Sequence, residues 1–303
     1  MATVLPKARP AQPPKVKKAR RSDRPAHQNR WMTGVWNTVA IGFAVVMAFP
    51  IYWMILTTVK SNRDLLSQNP TFWPQHFNFS SYKTIFNDPN FLPDLGNTAL
   101  ITLGAVIAGL IIGFLAAVAV ARFRFRGRNF FIVSMLVVQM VPLLALVIPM
   151  FIILNSVGLY DQLFGVIVAY LVFTIPYVVW TLRSFIVNIP KDLDEAAMVD
   201  GCTRWGAFFR VVLPLTVPGL ITTGVYCWIQ AWNEFVIANT LLASNNKQTS
   251  MVWLTSYAAS PTHGADYGSQ MAGALMVSLP VIILFVIFQK RVASGLTAGA
   301  VKG

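Results

Sequence analysis

The chain has 303 residues, 55% of them hydrophobic and only 12% charged, with a mean hydropathy of +0.59. A soluble globular domain carries about twice that charged fraction, so the composition excludes one and describes a polytopic membrane protein. The formal net charge of +13 would suit a nucleic-acid binder, so its distribution along the chain has to decide.

Residues 1–34, with Pro10-Ala11-Gln12-Pro13-Pro14 and a basic run from Lys15 to Arg21, hold too little apolar surface to fold, and a disordered basic arm is expected there. The charged stretch is too long for a cleaved signal peptide, and no small-residue cleavage site follows the next apolar run. The first helix is therefore read as an uncleaved anchor. Crossing the hydrocarbon core takes about 20 mainly apolar residues. Six stretches qualify: Val35–Thr58, Gly96–Ala121, Phe130–Leu154, Phe164–Phe185, Leu215–Ala238 and Met271–Gln289. The expected fold is an all-α integral membrane protein.

Twenty of the 24 Lys and Arg fall in the N-terminal arm, Arg122–Arg128, Arg183–Arg210 and from Lys290 onward, which six spans place on one side. Lys60, Arg63, Lys83 and Lys247 fall on the other. The positive-inside rule then puts both termini in the cytoplasm of a multi-pass cell-membrane protein, and topology with anionic membrane lipid accounts for the basic excess without nucleic acid. Arg122-Phe123-Arg124-Phe125-Arg126-Gly127-Arg128 reads as a tight cytoplasmic turn whose arginines lock that topology.

Between the first two spans, Val59–Leu95 is expected to be an external loop, rich in Pro, Asn and aromatics and suited to contacting an outside partner. A second external loop, from about Asn239 to Gln270, is expected to pack over the mouth of the membrane domain. Cys202 and Cys227 lie at different depths, which excludes a disulfide between them. His27, His76 and His263 are too dispersed for a metal cluster. No glycine-rich phosphate loop precedes Lys60-Ser61 or Lys83-Thr84, so no cofactor is expected on this chain, and no nucleophile elbow, His-Glu-x-x-His or Cys-x-x-Cys supports an enzyme.

Polar groups inside a membrane are costly unless paired or wetted, and the fifth span has most of them. Thr223, Tyr226, Gln230, Asn233 and Glu234 recur three to four residues apart and form one stripe, with Glu234 near the external end in a rim role. The stripe could line a wet path that recognises a polyhydroxyl solute, or it could be polar glue between helices. Thr174, Tyr177 and Thr181 form a weaker stripe around Pro176 in the fourth span, and Pro142 and Pro149 interrupt the third. A stand-alone secondary carrier would need charges central to several spans, and Glu234 alone is a weak basis for that.

The cytoplasmic segment at about 188–212 is the most informative. Pro190 to Gly201 reads as a short helix, with Asp192, Asp194 and Glu195 at its positive dipole end and Gly201 as its C′ stop; a further turn or two follows over Thr203–Arg210. Its spacing of Glu195-Ala196-Ala197, then Asp200-Gly201, then Val211-x-Leu213-Pro214 resembles the cytoplasmic loop of permease subunits of binding-protein-dependent ABC importers, with Val211 where isoleucine is usual. Tyr267-Gly268-x-x-Met271-Ala272, Pro280-Val281, Gln289-Lys290, the tail Gly295-Leu296-Thr297-Ala298-Gly299 and the fifth-span Trp232-Asn233-Glu234-Phe235 resemble the carbohydrate-uptake class, in particular the second permease of maltose-type transporters.

The resemblance implies a type I importer permease fold over residues 35–290, a cytoplasmic tail at 291–303, and transport of a sugar, or of another solute by the same machinery. It also implies a second permease subunit, two ATP-binding subunits that hold the ATP and Mg, and an extracytoplasmic solute-binding protein. Within this chain it implies a coupling role for Glu195, Ala196, Ala197, Asp200, Gly201, Leu213 and Pro214, and ATPase contact through Gly295, Leu296, Thr297 and Gly299.

Overall fold

The structure, a computed structural model, describes residues 30–69, 71–260 and 266–300, with side chains described from residue 31 to residue 289 of these. His27, His263 and the basic arm up to residue 29 lie outside the described residues. Among the described residues there is no strand. The chain divides into two compact units, Met1–Tyr52 and Trp53–Gly303. The first contributes most of α1 (Arg30–Thr58), an apolar helix long enough to cross a membrane.

In the second unit, short α2 (Asn62–Leu65) and α3 (Ser80–Asn87) lead into α4 (Phe91–Arg122). Then come α5 (Arg128–Met140), α6 (Leu143–Ser156) and α7 (Leu163–Val187). Short α8 (Asp192–Val199) and α9 (Arg204–Ala207) continue through a π turn at Phe208–Val212 into α10 (Leu213–Trp232). The chain finishes with α11 (Val236–Leu241), a 3-10 turn at Asn245–Lys247, α12 (Ser250–Ala259) and α13 (Tyr267–Ala300). Five helices are long and apolar enough to span, and α5 with α6 form a sixth candidate bent by 102°. Both α4 and α7 run toward the end of the bundle where Arg122 meets Ile189, so α5 and α6 together must make the return crossing. The expected third span is thus one crossing with a sharp elbow, and Pro142 sits in the break.

The centre of the bundle is the pairing of α4 with α7, and small residues make it close. Gly109 and Gly113 lie one turn apart on the same face of α4. A Cβ added at Gly109 would fall 2.3 Å from the Thr174 methyl, and one at Gly113 would fall 2.5 Å from a Val178 methyl. In a bilayer the solvent is as apolar as the side chains, so close backbone approach and the dispersion it allows drive association. Phe114, Ala117, Val178, Leu182 and Ile186 continue this seam toward the Arg122 end, and Ile101, Ala105, Val166, Ala169 and Tyr170 toward the opposite end.

The stretch expected as an external loop over Val59–Leu95 folds further than its composition suggests. Ile85 of α3 is fully buried with Phe91, Trp253, Tyr257 and Ala272, which ties α3 to α12 and α13. Likewise the Asn239–Gln270 stretch is organised by α12, whose Ser250 and the α4 hydroxyl of Thr98 bond at 3.0 Å. At the same end, Asp161 accepts from the backbone N–H of Ala243 and Ser244 at 3.0 Å each and from the Ser244 hydroxyl at 2.5 Å, with Lys247 ion-paired at 3.3 Å. These bonds hold the carboxyl of Asp161 down to about 2, led by the Ser244 hydroxyl. The last span also exceeds expectation: the α13 backbone continues as helix past Gln289 to Ala300, where side chains lie outside the described residues.

Candidate functional site

Helix α8 has its three acidic side chains in its first turn, where the unpaired N–H groups and the dipole favour negative charge. Its other end is closed by a Schellman arrangement: Cys202 N–H donates to Ala197 O at 2.9 Å and Gly201 N–H to Met198 O at 3.1 Å. Gly201 takes a φ of +87°, open only at a cost to a residue with a Cβ. Thr203 then starts α9, its hydroxyl accepting from the Gly206 N–H at 3.1 Å. These local rules fold the segment as two short helices separated at Gly201, as the spacing of Asp192, Gly201 and Thr203 predicts.

The segment is held to the bundle by an ion pair at α8 and by buried Ala207 and the π turn at its other end, and much of its remaining surface is open. Arg122, at the end of α4, pairs its Nε with Asp194 Oδ2 at 3.2 Å and donates from Nη1 to the Ile189 carbonyl at 3.1 Å. Glu195, Ala196 and Asp200 are exposed, and Ala197 is half-buried. Val199 is 88% exposed, and the paired Trp205 and Phe209 are also exposed, apolar surface that the described residues leave open. From α9 the backbone passes through the π turn into α10 without a loop, and Phe208 of that turn packs at a tilt against Phe114 of α4, with ring centroids 5.6 Å apart. Pro214, at the second position of α10, has no N–H for the Arg210 carbonyl, and the π turn takes up the fault. Helical backbone therefore runs unbroken from α9 into α10.

Along α10 and its neighbours lies a cavity of about 430 Å³. Its wall comes from the α5–α6 elbow (Val138 to Leu143), from Phe173, Thr174 and Tyr177 of α7, and from Tyr226, Gln230 and Glu234. Tyr177 and Tyr226 stack with ring centroids 4.1 Å apart, giving a flat aromatic patch beside the exposed Gln230 amide. Gln139, on the elbow, was not among the residues singled out from sequence, although Pro142 marks the break that turns it into the cavity.

The expected polar stripe is only partly assembled. Tyr177, Tyr226, Gln230 and Glu234 line the cavity, whereas Thr223 is fully buried outside it and Asn233 is exposed with its amide donating to the Ile229 carbonyl at 2.8 Å. Glu234 also departs from its expected rim position, because it is 8% exposed. The fifth span ends at Trp232 rather than continuing to Ala238, and Glu234 caps the new helix α11 by accepting from Ile237 N–H at 2.8 Å and Ala238 N–H at 3.1 Å. Tyr170 OH donates to Oε2, the oxygen that also accepts from Ala238, at 2.8 Å. Three donors satisfy the carboxylate, so a structural part in closing the cavity comes with its place in the wall.

Residues 109–297, more than half of the chain, match the family described as binding-protein-dependent transport system inner membrane component. Over 270 residues the chain is 38% identical to the diacetylchitobiose uptake system permease protein DasC of Streptomyces coelicolor, covering 89% of this chain and 97% of that protein. It is 35% identical over 269 residues to the trehalose transport system permease protein SugB of Mycobacterium tuberculosis, covering 89% and 96%. Among solved structures it is similar to a chain of a bacterial ABC transporter involved in import of the acidic polysaccharide alginate, with a TM-score of 0.75 at 25% identity, covering 88% of this chain and 98% of that one. The exposed helix pair at the end of a bent-span bundle, the cavity beside α10 and this match agree: the chain belongs to the family of multi-pass inner-membrane permease components of binding-protein-dependent ABC importers, a transport subunit and not an enzyme.

Proposed function

We propose that this chain is one of two permeases that together form the path for an oligosaccharide delivered by a solute-binding protein, driven by two ATP-binding subunits that dock on α8 and α9. The observation that carries this reading is the α8–α9 ledge, with exposed Glu195, Ala196, Asp200, Val199 and Trp205. The Arg122–Asp194 pair, the Phe208–Phe114 contact and unbroken helix from α9 into α10 tie that ledge to the bundle. Ala196, Ala197, Gly201, Leu213 and Pro214 shape the ledge, and Glu195 and Asp200 offer it charge. In this reading the ledge and both termini are cytoplasmic. The described Lys and Arg support that sidedness: eight lie between Arg122 and Arg210 at the ledge end, against Lys60, Arg63, Lys83 and Lys247 at the other.

ATP and its Mg sit on the ATP-binding subunits, and the helical continuation of α13 carries Gly295, Leu296, Thr297 and Gly299 toward them. Closure of that pair on ATP moves the ledges together, and α10 hands the stroke to the cavity. Stacked Tyr177 and Tyr226 present a face for sugar rings, while the exposed Gln230 amide offers groups to sugar hydroxyls. The relatives named for diacetylchitobiose and trehalose support a sugar cargo. The test is uptake of labelled oligosaccharides by proteoliposomes holding both permeases, the ATP-binding subunits and the binding protein. ATP-dependent accumulation that vanishes when this chain is omitted is expected. Accumulation by this chain alone, or of amino acids and not sugars, would refute it.

A further inference from the structure

At the end of the bundle that carries α8, a pocket of about 220 Å³ lies between the end of α4, the start of α5 and the end of α7. Its wall is cationic: Arg122, Arg124, Arg128, Arg183 and Lys191 line it, with Phe123 and Val187, and no carboxylate does. The Arg122 side chain is 9% exposed. Its Nε and Nη1 are engaged by Asp194 and Ile189, but Nη2 is buried with no partner among the described residues. The Nε atoms of Arg128 and Arg183 are buried and unpartnered as well. Each such donor carries a desolvation cost that an anionic oxygen would remove, and guanidinium forks suit a group with several oxygens. Three spans thus converge their cations on one space and leave donors over for a phosphate.

The surroundings say what would bring it. The pocket opens at the ends of membrane-crossing helices, and Phe123 and Val187 in its wall are about half exposed, at 52% and 53%, with Phe125 of the same turn and Phe130 at the start of α5 exposed at 47% and 79%. A soluble anion has no use for that apolar collar, whereas a lipid places its phosphate in the cations and its chains against the rings. Basic pockets between spans are where anionic head groups are recognised. We propose that this pocket binds the phosphodiester of an anionic phospholipid, which joins the ends of α4, α5 and α7 beside the tether of α8. The inference rests on the chain crossing a membrane, and it is independent of the solute and of the ATP-binding partner.

The test titrates the purified full-length chain, in micelles with an uncharged headgroup, with phosphatidylglycerol and phosphatidylcholine and counts bound lipid by native mass spectrometry. Wild type is expected to retain phosphatidylglycerol in preference. Arg128→Gln with Arg183→Gln should weaken that binding about thirtyfold. Arg126→Gln, which alters an exposed arginine outside the lining, and the charge-keeping pair Arg128→Lys and Arg183→Lys should both keep it. Unchanged binding in the glutamine pair, or no preference in wild type, would overturn the site. Two competitions on wild type need no variant to fold. Displacement by inorganic phosphate at concentrations equal to the lipid's would overturn the lipid as source, and preferential capture of a poly-glutamate peptide would make it a protein-binding site instead.

Discussion

Severing the tether at Arg122 should loosen α8 without unfolding the bundle. In Arg122→Gln the Asp194 carboxylate loses its cation, and the Ile189 carbonyl loses a charged donor. Removing one partner of a fully buried pair costs about 3–5 kcal/mol. The Asp194 side chain is 21% exposed, so water recovers part of this, and a loss of about 2 kcal/mol is expected once the Ile189 bond is included. If α8 opens locally, that loss lowers the protection of its amides about thirtyfold. Hydrogen exchange read by mass spectrometry on peptides spanning residues 189–201 measures it directly, with peptides from α4 and α7 as internal controls. Asp194→Asn should act in the same direction, and the double variant should fall short of the sum by about 1 kcal/mol or more. Wild-type exchange across residues 189–201 in Arg122→Gln, or strict additivity in the double variant, would refute the tether.

Three further expectations follow from the packing. Gly113→Leu drives a side chain into Val178, where even a Cβ lies 2.5 Å away, so thermal unfolding in detergent should fall by an amount matching about 3 kcal/mol or more; an unchanged midpoint would contradict close α4–α7 packing. Glu234→Leu leaves the Tyr170 hydroxyl and the N–H groups of Ile237 and Ala238 buried without an acceptor, a cost of about 1–3 kcal/mol each that the same melts would register, while Glu234→Gln should lose less. The Asp161 clamp is held by a carboxyl lowered to about 2 from an ordinary value of 3.8, so its stabilisation is complete above that ordinary value and fades as pH drops toward 2. Amide exchange at Ala243 and Ser244 should therefore be pH-corrected constant from pH 7 to 5 and rise sharply below 4, and Asp161→Asn should show the raised rate at every pH.

What could be read in advance followed from local rules. Hydropathy located the spans because a helix is the simplest way to satisfy a backbone in lipid. Gly201, Thr203 and the acidic first turn delimited α8 and α9 because capping depends on neighbouring residues. The elbow at Pro142 was visible as a proline, but its 102° bend was not, since a proline in a span can kink slightly or break it completely. Glu234 reads as part of the fifth span, but that span stops at Trp232, and the acceptor role of Glu234 depends on Tyr170, 64 residues away. The folding of Ser80–Asn87 under α12 was equally hidden, because Ile85 meets Trp253 and Ala272 only in three dimensions. Gly109 and Gly113 do carry a sequence signal, small residues four apart in an apolar run, though it does not name the helix they receive.

If the α8–α9 ledge passes work from outside the chain to the cavity, Glu195→Lys and Gly201→Asp in the reconstituted complex should expose it. Solute uptake and ATP hydrolysis are measured in the same vesicles, with insertion of the chain checked by protease protection. Either variant should insert normally and lose uptake, Glu195→Lys by reversing the charge of the ledge and Gly201→Asp by straining the turn at φ +87°. Full uptake in either, at wild-type hydrolysis, would contradict the claim.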